Sequence, residues 1–129
     1  MHQFLNIRPL IISTLIALAS AQVIAGAEHD LTPKFGGVVV ETKIGDIEIV
    51  VKSDVMQIYI NDHGKAVKLD GGKARITLLN GADKSEADLV PASGKLEAKG
   101  AFKVAKGTKG IAVVTLVGLP PTSARFEVK

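Results

Sequence analysis

The stretch Asp46-Ile47-Glu48-Ile49-Val50-Val51-Lys52 decides the fold. Ile47, Ile49 and Val51 alternate with Asp46, Glu48 and Lys52, a period of two that a helical stripe cannot produce and a half-buried β-strand requires. Residues 95–104 (KLEAKGAFKV) repeat the pattern, setting Leu96, Ala98, Phe102 and Val104 inward and Lys95, Glu97, Lys99 and Lys103 outward. By this reading Asp46 and Glu48 lie on the solvated side of their strand, as surface carboxylates rather than an acid–base pair.

Working outward, the same composition predicts strands over 37–43 (GVVVETK), 55–60 (VMQIYI), 73–79 (KARITLL), 85–90 (SEADLV), 110–117 (GIAVVTLV) and 124–128 (ARFEV). Between them stand Asp62-His63-Gly64, Asp70-Gly71-Gly72, Asn80-Gly81, Lys106-Gly107 and Leu119-Pro120-Pro121. Glycine and asparagine tolerate positive φ there, and proline stops a ladder. No stretch after residue 27 keeps helical spacing for ten residues. The expectation is an all-β chain, an antiparallel β-sandwich of seven to eight strands, Ig-like, over residues 37–129.

The amino-terminal residues follow a different grammar. Before Ala27 the only charged side chain is Arg8, residues 10–18 (LIISTLIAL) are almost wholly apolar, and Ala19-Ser20-Ala21 and Ala25-Gly26-Ala27 supply two A-x-A sites. That pattern predicts a signal peptide over 1–27, cleaved after Ala27 or at the alternatives Ala21 or Gly26, and therefore a periplasmic protein with no membrane attachment after cleavage. The competing reading is an uncleaved anchor, since the uncharged stretch 9–27 could just cross a bilayer of about 30 Å. Residues 28–36 (EHDLTPKFG) lack periodicity and contain Pro33, so they read as a flexible arm leading into the first strand.

Composition excludes several functions. The 129 residues contain no cysteine, so disulfides and thiol chemistry are absent. A formal net charge of +3, one tyrosine and no tryptophan give neither the basic field nor the stacking aromatics that nucleic acid demands. Gly71-Gly72-Lys73 and residues 106–110 (KGTKG) lack phosphate-loop spacing and read as turns. After residue 27 only His29 and His63 could serve as imidazole bases, and no serine lies in a nucleophile frame, so the chain is not expected to be an enzyme.

Metal chemistry is the remaining candidate. Glu28, His29 and Asp30 group an imidazole with two carboxylates beside the expected cleavage site, and Asp62-His63 occupies an exposed turn. Nitrogen and oxygen ligands of this kind suit Cu(II), Zn(II) or Ni(II). Cleavage after Gly26 would place His29 third from a new amino terminus, an arrangement suited to square-planar Cu(II) or Ni(II). Met56, in register with Ile58 and Ile60, reads as core.

The runs 33–39 (PKFGGVV), 58–65 (IYINDHGK), 74–79 (ARITLL) and 96–104 (LEAKGAFKV) resemble a family of small proteobacterial periplasmic β-sandwich proteins. They are also similar to the sandwich module near the amino terminus of some periplasmic adaptor proteins of heavy-metal efflux pumps. The resemblance departs at Phe35, where the family pattern carries histidine. It implies a non-enzymatic periplasmic accessory role connected with metal resistance, with a periplasmic component of a metal efflux system as partner. The alternative is a metal-independent interaction module that docks a protein through a strand edge or loops.

Overall fold

The computed structural model describes residues 30–129, and its regular elements are all β-strands. The expected signal peptide, Glu28 and His29 lie outside the described residues. In chain order the strands are β1 (Val38–Thr42), β2 (Gly45–Val51), β3 (Val55–Asp62), β4 (Lys65–Ala66), β5 (Lys73–Asn80), β6 (Asp83–Ala92), β7 (Lys95–Lys99), β8 (Lys109–Thr115) and β9 (Thr122–Glu127). All but β4, a two-residue bridge onto the end of β3, fall where alternation places a strand.

Every pairing is antiparallel, and the strands follow one path, β1-β2-β3-β7-β6-β5-β8-β9. β6 makes that continuity. Its residues 83–89 pair with β5, and residues 90–92 pair with β7 instead. Pro91, with no N–H to donate, sits in the part that changes partner. At the far ends β1 and β9 come alongside each other without sharing a ladder, so the sheet is nearly a barrel. Alternation reports which face of a strand is buried; it does not report whether two layers are joined through a shared strand.

Residues 67–72 cross from the β3 side to β5 at one end of the sheet, and residues 100–108 cross from β7 to β8 at the other. From these crossovers Leu69 and Phe102 pack onto the core. Between the ends lie Ile47, Ile49, Met56, Ile58, Ile76, Leu78, Leu89, Leu96 and Val114, all fully buried. Each side chain of this size removed from water contributes roughly 1.5–3 kcal/mol before the entropy of ordering is subtracted.

The strand expected over 95–104 ends at Lys99. Beyond it the Gly100 N–H donates to the Asp54 carbonyl at 3.1 Å and the Phe102 N–H to the Ser53 carbonyl at 2.7 Å. The chain thus leaves the ladder to tie down the β2–β3 turn, and Phe102 reaches the core from that crossover. At Gly110 the ring of its cross-strand partner Phe126 fills the space a Cβ would need. Two tight turns lie at one end of the sheet. His63 and Gly64 have φ of 48° and 82°, Ser93 and Gly94 have 48° and 79°, the paired positive values that two-residue hairpins favour.

Candidate functional site

Glu48 is the residue whose surroundings alternation does not report. It points to the outer face of β2, as its register requires, yet it is only 6% exposed. Residues 33–37 pass over it as a strap. The Lys34 N–H donates to Oε1 at 2.7 Å, and the N–H groups of Phe35 and Gly37 donate to Oε2 at 2.7 and 3.1 Å. A carboxylate withdrawn from water needs such donors, and backbone amides supply them without a countercharge.

The strap folds this way because of its glycines. Gly36 takes φ of 76°, turning the chain back toward β1. At Gly37 a Cβ would run into the Ile49 carbonyl and lie 3.0 Å from Val50 Cγ2, so only glycine lets the strap approach β2 this closely. Val50, on the same face as Glu48, is buried beneath it. That outward valine interrupts the polar side of the 46–52 alternation, and it is the sequence signal that something covers this face.

The strap carries an aromatic ring. Phe35 stacks on Tyr59, with ring centroids 3.7 Å apart and planes 11° from parallel, yet remains 50% exposed. Tyr59 is the direct cross-strand partner of Glu48. Burial, and then the charges of Glu97 and Glu48, raise the Tyr59 phenol above its ordinary pKa of 10.0. Its hydroxyl donates to Gln57 Oε1 at 3.3 Å, and Gln57 Nε2 donates to Glu97 Oε2 at 2.8 Å. Lys95 Nζ stands 4.0 Å from the same Glu97 oxygen.

Between the strap and the two tight turns lies a cleft of about 460 Å³, bordered by Asp30, Phe35, Asp46, Glu48, Tyr59 and Asn61 among others. Asp30 accepts the Thr32 N–H at 2.9 Å. Hydrogen bonds from Thr32, and to a smaller extent the charge of Lys34, hold the Asp30 carboxyl below its ordinary value.

The expected metal ligands are dispersed. Asp62 and His63 come together, with Oδ1 and Nε2 3.5 Å apart and the imidazole side chain 85% exposed. Asp30 borders the strap cleft, whereas Asp62 and His63 border a neighbouring one with Glu41 and Asp46. Among the described residues no three His, Cys, Asp or Glu side chains group closely enough to hold a metal ion. What this face does assemble is a half-exposed aromatic ring, carboxylates and a cleft they border. No known family, curated protein or solved structure matches the chain.

Proposed function

We propose that this protein is a non-catalytic periplasmic interaction module that docks a partner protein on the strap-covered face of β1, β2 and β3. The observation that carries this reading is the posture of Phe35: half-exposed, yet fixed by a stack on Tyr59 and by strap amides anchored to buried Glu48. Rigid aromatic side chains held at a surface are the usual anchors of protein interfaces, because little conformational freedom remains to be lost on binding. Leu31, 42% exposed on the same segment, extends the apolar surface.

The test is site-specific photo-cross-linking in periplasm, with a photoreactive phenylalanine analogue replacing Leu31 in one variant and Thr77, on the opposite face, in another. One partner captured from position 31, absent from position 77 and lost when Glu48→Gln is added, supports the reading. Equal capture from both positions, or capture indifferent to Glu48→Gln, overturns it.

A second reading is favoured by the exposed imidazole of His63 beside Asp62. In it those two residues, with Glu28, His29 and Asp30 near the processed amino terminus, loosely hold Cu(II), Zn(II) or Ni(II) for a periplasmic component of an efflux system. Calorimetric titration of the processed protein then shows binding that His63→Ala or His29→Ala abolishes. Absence of heat with all three ions removes this reading.

A further inference from the structure

We infer that the strap cleft is a receptor for a guanidinium group, the arginine side chain of an exposed segment of the partner; this rests on the docking reading above. One face of the Phe35 ring is covered by Tyr59, and the ring, half-exposed, borders the cleft. Two carboxylates, Asp30 and Asp46, border the space against the ammonium of Lys34, with Glu48 behind them capped by the strap amides, in a chain whose formal net charge is +3. The cleft is thus a locally acidic, aromatic-walled space on a basic protein.

A ligand complementary to it is positively charged, flat and weakly hydrated. Guanidinium meets all three conditions: it stacks on an aromatic face, donates in-plane to carboxylates and sheds water more readily than an ammonium. A bare metal ion does not fit, since a ring offers no ligand atom and the carboxylates do not converge. The volume, about 460 Å³, accommodates a side chain with its flanking backbone and falls within the range of small-ligand sites. Asn61, also bordering the cleft, adds a neutral polar group for that backbone.

The experiment is an amide-resolved NMR titration of the processed protein with a short blocked peptide containing one arginine, with its citrulline counterpart, and with spermidine. Citrulline keeps the shape and removes the charge; spermidine keeps charge and removes the flat group. The expected result is movement of the Lys34, Phe35, Gly64 and Gly94 amides with the arginine peptide, with affinity weakened at least about fivefold for citrulline and for spermidine. Asp30→Asn, at a side chain bonded only within its own turn, weakens arginine binding in the same direction while the unfolding midpoint stays unchanged. Phe35→Leu weakens it with the charges intact.

Binding of the citrulline peptide or of spermidine as tight as that of the arginine peptide overturns the guanidinium assignment. Absence of localised movement overturns the site. The two proposals fail separately: cross-linking retained at position 31 with no preference for arginine leaves the docking face standing and removes the receptor, whereas arginine preference with capture shifted to position 77 removes the docking face and with it the partner as source.

Discussion

The outer faces of the two halves of the sheet use the same residue types to opposite effect. On β5 and β6 the carboxylate of Asp88 meets Arg75 directly across the ladder at 2.8 Å, and Lys84 meets Glu86 at 3.1 Å, all in solvent. On β2 the carboxylate of Glu48 meets no cation among the described residues and is buried under three backbone amides. Water screens the first arrangement, so it decorates a surface that would fold without it. The second leaves a charge that only one backbone path satisfies, so it dictates where the five residues of the strap, otherwise irregular, must go. A carboxylate organises its surroundings according to what else could solvate it.

The largest effect expected from breaking this contrast is at Glu48. In Glu48→Gln, whichever way the amide is turned, an NH₂ group faces an N–H donor of the strap. Loss of about 2–3 kcal/mol in chemical unfolding, with fast hydrogen exchange at the Lys34, Phe35 and Gly37 amides, is the expected outcome. Unchanged stability would mean that the strap contributes nothing to the fold. Gly37→Ala approaches the same end from the backbone, forcing the strap off the Ile49 carbonyl, and a loss of about 1–3 kcal/mol is expected with the β1–β2 ladder intact.

A smaller change follows at the stack. Phe35→Leu keeps an apolar side chain and removes the ring pairing, for a loss of about 0.5–1.5 kcal/mol and a Tyr59 phenol that titrates closer to its ordinary value as water returns. The smallest is on the opposite face. Arg75→Gln is expected to leave the unfolding midpoint at neutral pH within error, in low and high salt alike. Whatever small difference remains at neutral pH shrinks to nothing in acid. Arg75 holds the Asp88 carboxyl below its ordinary value of 3.8, so whatever the pair contributes is fully present above that value and fades as pH falls through the depressed one. An acid-unfolding curve compared between the two proteins checks this.

The eight main strands are legible in the sequence because each buries one face, and burial of one face writes a period of two. The inward residues Ile47, Ile49, Met56, Ile58 and Leu96 follow directly. What covers the outer face writes no period. Residues 33–37 have no repeating pattern, and the hold on them comes from a carboxylate eleven to fourteen positions away. Val50 alone betrays the cover, and a single valine on a polar face is common enough to pass as noise. Similarly, the departure of the chain at Gly100 is invisible to alternation, since Phe102 and Val104 keep the right spacing while the backbone turns to bond Ser53 and Asp54. At the turn, Gly64 takes the positive φ its residue type allows, and His63, which nothing in the sequence marked for it, takes one as well.

A last consequence belongs to β6. Its first seven residues hydrogen-bond to β5 and its last three to β7, so a single strand is the hinge pin between the two halves of the sheet. Neither half can melt without stripping the other of a paired strand. Unfolding is therefore expected as one cooperative step, with amides at both ends of β6 exchanging at the global rate, despite a chain that crosses between the halves of the sheet through two loops.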